Sequence, residues 1–178
     1  MTVTDVWLIN GIPGAGKSTV ARLLAAGFGR GAHVEGDRLQ DLIVSGGVPP
    51  GAAPADEEAR QIHLNVRNQC CLAGSFAQAG FVPVIDYVIV SRARVAEYRE
   101  QLAGLTPRLV TLAPGPAVAL ARDRARAEKQ VAEQWVHLDA VMRAALSGVG
   151  LWIDNANLTP AETVERILSS AAAAVVRV

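Results

Sequence analysis

The segment Gly11-Ile12-Pro13-Gly14-Ala15-Gly16-Lys17-Ser18, followed by the second hydroxyl of Thr19, constrains this chain more than any other. It fits the pattern G-x-x-x-x-G-K-[ST] at every defined position. An apolar run, Val6-Trp7-Leu8-Ile9, precedes it, and Lys17 to Ala26 follows with Val20, Leu23 and Leu24 on one helical side. A strand that turns through glycines into a helix aims successive backbone N–H groups at one point, where the helix N-terminus adds partial positive charge. Such a nest holds phosphate. Pro13 and Ala15 lie in the loop with its glycines, Lys17 is expected against the outer phosphates, and Ser18 is expected to offer its hydroxyl to magnesium. The expected occupant is therefore ATP or GTP with Mg2+.

Apolar runs of four to six residues alternate with longer stretches of helical period, the pattern of a parallel sheet covered on both faces. Strands are expected at Asp5–Asn10, Ala32–Glu35, Val82–Asp86, Arg108–Leu112 and Leu151–Asp154. Helices are expected over Lys17–Ala26, Asp56–Ala79, Ser91–Leu102 and Glu133–Leu146. Another is expected to run from Pro116 through the charged run Arg122 to Lys129, and a last one from Pro160 through the alanines ending at Ala174. Asp37 sits at the N-cap position of a further helix with Leu39, Leu42 and Ile43 as its apolar stripe. Ser45 to Pro54, with two Gly-Gly or Pro-Pro pairs, reads as a mobile loop. No repeat or linker divides the chain, so residues 1–178 are expected to form one α/β domain.

Composition narrows the partners. Seventeen basic and seventeen acidic side chains cancel, and aromatics make up only 4%, so neither a basic stripe nor a stacking groove for nucleic acid is expected. No apolar run approaches the roughly 20 residues that cross a bilayer, and Met1 to Trp7 lacks the shape of an export signal. A cytoplasmic protein without nucleic-acid or membrane partners is the expectation, with a homodimer left open. Cys70 and Cys71, adjacent in sequence, are expected to be core thiols rather than a disulfide or a zinc site.

The Walker A residues Gly11 to Ser18, an acid just after the second strand and an arginine cluster late in the chain together resemble the P-loop nucleoside-triphosphate-binding superfamily. Within it the sequence is similar to the small kinases that include adenylate kinase, shikimate and gluconate kinases and chloramphenicol phosphotransferase. That resemblance implies the P-loop nucleoside-triphosphate hydrolase fold, with a five-stranded parallel sheet flanked by helices on both faces. It also implies transfer of the γ-phosphate to a hydroxyl of a small-molecule acceptor, a metabolite or an antibiotic. By the same resemblance the acceptor-binding segment spans about residues 45–80 and an arginine-bearing lid about residues 122–133.

Ligands of an open parallel sheet bind beyond the carboxyl ends of its strands, which makes acids at strand ends the first candidates for chemistry. Asp37 is assigned as the base that activates the acceptor hydroxyl, a helix cap being the alternative role. Asp86 resembles a Walker B acid that holds magnesium with Ser18, the alternative being a turn-forming strand end. Arg122 and Arg126, four apart and so on one helix face, are transferred to the lid role of neutralising the moving phosphoryl group, with Arg124 next; a solvated charged face is the alternative.

For the acceptor, Arg60, His63 and Arg67 recur along one helical stripe, which faces either the acceptor or water, and Tyr87, Arg92 and Arg94 follow the third strand. Asn155 and Asn157 occupy the loop where related folds grip the base, and either contact the nucleotide or only form the turn. Trp135 is expected in the core and His137 in a structural role. An alternative activity is a nucleotide-dependent hydrolase or switch acting on a protein partner, although a guanine-reading N-K-x-D sequence is absent.

Overall fold

A computed structural model describes residues 4–125 and 131–176. Five strands, β1 (Asp5–Asn10), β2 (Gly31–Glu35), β3 (Val82–Asp86), β4 (Thr106–Leu112) and β5 (Leu151–Ile153), form one parallel sheet in the order β2-β3-β1-β4-β5. The helices are α1 (Lys17–Ala26), α2 (Gly36–Gln40), α3 (Ala55–Gln78), α4 (Arg92–Gln101), α5 (Pro116–Arg124), α6 (Ala132–Trp135), α7 (Leu138–Leu146) and α8 (Pro160–Ser169). The α/β class and five parallel strands agree with the sequence reading. Central β1 is buried on both faces, with Val6, Trp7, Leu8 and Ile9 each at most 2% exposed, which is why its sequence is apolar throughout rather than alternating.

Helix α1 packs against α8, and α3 against α4. With the right-handed crossovers that parallel sheets adopt, this strand order sends the chain over opposite faces: β1 leads through α1 to β2 on one side, whereas β3 leads through α4 to β4 on the other. The chain thus diverges between neighbouring β1 and β3, and a crevice opens outside their carboxyl ends. Asn10 braces that end. Its fully buried amide donates to the Ile89 carbonyl at 3.0 Å and to Thr111 Oγ1 at 3.2 Å, and its carbonyl accepts the Ile89 amide at 2.8 Å.

Several local expectations shift. The inner face of α1 is Val20, Ala21, Leu24 and Ala25, with Leu23 40% exposed. Small residues belong there because the end of α1 lies directly on β2: a Cβ on Gly31 would stand 1.9 Å from the Ala25 carbonyl oxygen. Helix α2 starts at Gly36 with Glu35 at its cap, so Asp37 lies inside the first turn and makes no N-cap. The helix stops at Gln40, and Leu42 beyond it is 71% exposed.

Helix α5 ends at Arg124 with Ala125 at its C-cap; residues 126–130, Arg126 among them, lie outside the described residues. The helix expected over Glu133–Leu146 is two pieces, α6 and α7, and the last helix gives way after Ser169 to a 3-10 turn at Ala171–Ala174. Only Cys70 is a core thiol. Cys71 is exposed, because neighbouring helical residues point about 100° apart. Among the described residues no helix is long and apolar enough to cross a membrane.

Candidate active site

The loop after β1 is shaped by what surrounds each glycine. Gly11 (φ 148°) and Gly14 (φ 84°) are pressed on neighbouring backbone: a Cβ would approach the Leu112 carbonyl oxygen to 2.7 Å at the first and the Ala119 carbonyl oxygen to 2.1 Å at the second. Gly16 (φ 96°) differs, since the nearest atom to its Cβ position is Asn155 Nδ2 at 3.9 Å. It is glycine for its left-handed backbone, and the space above it is open. Between them Ala15 N–H closes a turn on the Ile12 carbonyl at 3.1 Å. Gly16 caps α1 and has no side chain with which to bond the amides of the first turn. Lys17 Nζ lies 3.4 Å from the Ile12 carbonyl oxygen, across the same loop.

Beside this loop Asp86 closes β3, 3% exposed. Its Oδ2 accepts a hydrogen bond from Ser18 Oγ at 2.6 Å and its Oδ1 contacts His33 Nε2 at 2.8 Å. A hydroxyl and a carboxylate joined in this way form a hard oxygen pair suited to magnesium. Ser18 can keep donating to Asp86 while its lone pairs face a cation. The residues present therefore fit both groups: a glycine-capped helix N-terminus with room beside Gly16 for phosphate, and oxygen donors for Mg2+. His33 is a residue that sequence reading missed, since a lone histidine in a short strand carries no motif.

The backbone before Asp37 is braced by a buried line of amides. Tyr98 OH donates to Gln69 Oε1, Gln69 Nε2 donates to Asn65 Oδ1 at 3.0 Å, and Asn65 Nδ2 donates to the Gly36 carbonyl at 3.0 Å and to Gln40 at 3.2 Å. This holds the backbone immediately before exposed Asp37. Gly36 admits no side chain, because a Cβ would meet Tyr87 Cδ2 at 2.5 Å and Gln69 Nε2 at 2.7 Å. Burial pushes the Tyr87 phenol above its ordinary pKa; the nearby Asp37 carboxylate adds to that shift and Arg94 opposes it. Tyr87 is thus a neutral hydroxyl between an acid and a guanidinium.

The inward polar stripe of α3 is Gln61, Asn65 and Gln69. The expected stripe lies on the outer side instead: Arg60 is exposed and pairs with Glu57 at 2.7 Å, His63 pairs with Glu97 of α4, and Arg67 is exposed. Uncharged amides fill the inner positions because they can satisfy each other there, whereas guanidinium groups would lose hydration. Arg92 donates to the Ser147 carbonyl at 2.8 Å, away from this group.

The segment after α2 is a loop, as expected, but it is tied down. Gln61 accepts the Val48 amide at 2.8 Å and donates to the Gly46 carbonyl at 2.8 Å, and Glu58 accepts the Gly51 amide at 2.6 Å. Half-buried Trp135 does not enter the core; it reaches this loop, its ring edge 2.9 Å from where a Gly51 Cβ would be.

On the other side of the phosphate loop a cavity of about 240 Å³ is lined by Gly14, Gly16, Thr19, Val20, Arg122, Asn155 and residues of the α8 start. Arg122 Nη2 donates to the Asn155 carbonyl at 2.8 Å and the Ala156 carbonyl at 3.1 Å. Asn155 is 3% exposed, donates to the Ala15 carbonyl at 3.0 Å, and keeps its side-chain Oδ1 buried without a protein partner. Asn157 is exposed, and the turn is made by Asp154, whose Oδ1 accepts the Ala156 amide at 2.9 Å. Arg124 is exposed, 3.9 Å from Glu133. Between them, buried Asp123 accepts the amides of Val131 and Ala132, each at 2.8 Å, and clasps the base of the segment expected to be a lid.

A glycine-shaped loop between β1 and α1, a buried acid at the end of the adjacent β3 and the strand order around them define a P-loop protein of the small-kinase type of fold. Residues 6–147 match the family model described as AAA domain (AAA_33), and the chain belongs to that family. Solved structures share the fold along nearly the whole length. A sugar kinase from a Janibacter species is 20% identical with a TM-score of 0.71, covering 97% of this chain and 96% of its own. The tunicamycin resistance protein of Deinococcus radiodurans is 20% identical at a TM-score of 0.66 (98% and 99%), and a gluconokinase from Sinorhizobium meliloti 1021 is 19% identical at 0.68 (97% and 94%). No curated protein matches the sequence.

Proposed function

We propose that this protein is a kinase that transfers the γ-phosphate of ATP or GTP to a hydroxyl of a small molecule. The observation that carries the reading is the Ser18–Asp86 pair at 2.6 Å beside the glycine-capped first turn of α1, in the crevice between β1 and β3. The small-molecule kinases among the similar folds support it.

The amides of Gly14 and of Gly16 to Thr19 bind the phosphates and Lys17 lies against the transferring group. Ser18 and Asp86 would hold Mg2+, which supplies charge neutralisation on the phosphate oxygens when bound. Asp37 accepts the acceptor's hydroxyl proton as its oxygen bonds to the γ-phosphorus and the bond to the β-phosphate oxygen breaks, leaving ADP or GDP. Tyr87 and Arg94 orient the acceptor next to Asp37, Arg94 in concert with Glu97. Arg122 and Asn155 border the nucleoside end, Arg124 and Arg126 belong to the lid, and the segment over residues 45–80 covers the acceptor. The acceptor is a polyhydroxylated metabolite or a drug; the similarity to a tunicamycin resistance protein makes antibiotics part of the panel worth testing.

The test is incubation with Mg2+ and ATP or GTP against hydroxylated metabolites and antibiotics, reading which compound gains one phosphoryl group by mass. Lys17→Ala should abolish that gain while melting like the native protein. Free phosphate released with every compound untouched would replace the kinase by a nucleotide hydrolase.

A further inference from the structure

Resting on the magnesium-nucleotide reading above, we propose that His33 is the positioning residue that orients Asp86 for the metal. Asp86 is nearly sealed from water and its two oxygens are divided between two donors: Oδ2 takes the hydrogen bond of Ser18 at 2.6 Å and Oδ1 lies 2.8 Å from His33 Nε2. The acceptor is a carboxylate, so Nε2 carries the proton and donates.

The strand register explains how the ring gets there. Glu35 pairs with Asp86 and His33 pairs with Val84 across the β2–β3 ladder. Residues two apart on a strand share a face, so His33 and Asp86 stand on one side of the sheet, one pleat apart on neighbouring strands. From that position the imidazole reaches forward to the acid. Its side chain is 18% exposed, and the aspartate's is 3% exposed.

Rotation about the last side-chain bond of an aspartate is soft and broad. Ser18 alone fixes one oxygen and leaves the carboxylate plane free to turn about it. The second bond, from a different strand, removes that freedom and keeps Oδ2 facing Ser18 and the space above the first turn of α1. Outer partners of this kind, holding a ligating carboxylate or imidazole, typically change metal affinity by about 10–100-fold when lost. The polar contact of His33 is with Asp86 and not with the phosphate loop, so nucleotide binding without metal should be indifferent to it.

The experiment titrates Mg2+ into protein with a fluorescent ATP analogue, for the native chain, His33→Gln, His33→Asn and His33→Leu, with melting curves on each. The Gln amide can reach Asp86, the Asn amide is shorter, and Leu has no donor. Metal-free affinity should stay within about 2-fold throughout, whereas the Mg2+ concentration for half-maximal tightening should rise about 10-fold or more in His33→Leu. Gln should restore most of that and Asn less. In steady state the KM for the magnesium nucleotide should rise in His33→Leu, with kcat largely recovered at saturating Mg2+.

An unchanged Mg2+ midpoint in His33→Leu, an equal loss of metal-free binding, or native nucleotide binding that ignores Mg2+ would each overturn the proposal. If His33→Leu does not fold, equal midpoints for Gln, Asn and native protein would overturn it as well. A native protein that binds the magnesium nucleotide but phosphorylates nothing refutes the kinase reading alone, because the titration reads binding and not turnover.

Discussion

Ser18 and Asp86, 68 residues apart in the chain, share a hydrogen bond of 2.6 Å that ties the first turn of α1 to the end of β3. Parallel pairing of β1 with β3, with Ile9 opposite Asp86, brings the acid level with the residue two before Gly11. The same contact therefore sets the spacing between the glycine loop and the carboxylate proposed to hold the metal. Neither residue could do this from its own segment.

The glycines of the loop should separate stability from binding. Gly14→Ala places a Cβ 2.1 Å from the Ala119 carbonyl oxygen and strains a left-handed backbone, so it should cost about 3 kcal/mol or more of stability. Gly16→Ala meets no atom nearer than 3.9 Å and should cost only about 1–2 kcal/mol, while its methyl invades the phosphate space. Chemical denaturation and nucleotide titration on both variants check this; equal loss of stability would show that the space above Gly16 is not open.

Asp37→Asn should lower kcat by about 10²–10⁴-fold with nucleotide affinity unchanged, because the proposed role of this exposed carboxylate, whose charge acts on Tyr87, is to take the proton of the acceptor. Single-turnover transfer and equilibrium nucleotide binding separate the two effects. Weakened nucleotide binding with normal turnover would remove Asp37 from the chemistry.

Arg122 should behave as a nucleotide-binding residue. Its guanidinium is occupied by the Asn155 and Ala156 carbonyls and it borders the cavity beside Gly16. Replacement by Ala removes charge-assisted bonds of about 1.5–3 kcal/mol, partly replaced by water, and should raise the nucleotide KM about 10-fold with a smaller fall in kcat. A fall in kcat at constant KM would return this arginine to the transferring phosphoryl group, the role its sequence position suggests.

The two cysteines should differ in reactivity. Burial, then the neighbouring Cys71 and Glu97 charges, pushes the Cys70 thiol up to about 12, so it stays protonated and shielded at pH 8. Cys71 is exposed. A disulfide thiol reagent should modify one thiol per folded chain rapidly and two in denaturant, with the label on Cys71 by peptide mass. Two fast thiols in the folded chain would contradict the packing of α3.

Much of the site was legible because it is local. Gly11 to Ser18 needs only a strand, a turn and a helix in sequence, and the apolar run of β1 and the acid-ended strand β3 could be read from periodicity and punctuation. The tight spot at Gly36 was not legible in this way, because its cause, the ring of Tyr87 and the amide of Gln69, comes from two other elements. What the sequence left open was facing. Arg60, His63 and Arg67 form as regular a stripe as Gln61, Asn65 and Gln69, and a one-residue rotation of α3 would exchange them. The choice rests on Tyr98 and Gly36 waiting on the inner side with unsatisfied polar groups.

The amino-acid order alone determined the alternation of strands and helices, the phosphate nest and the acids at the ends of β2 and β3, since each follows from backbone sterics and side-chain period within a short window. Tertiary structure decided that His33 meets Asp86, that Arg122 settles on the Asn155 turn, and that Trp135 covers Gly51 rather than entering the core. These are contacts between segments brought together by sheet order and crossover hand, where the energy of burying one polar group depends on which partner another strand or loop happens to present.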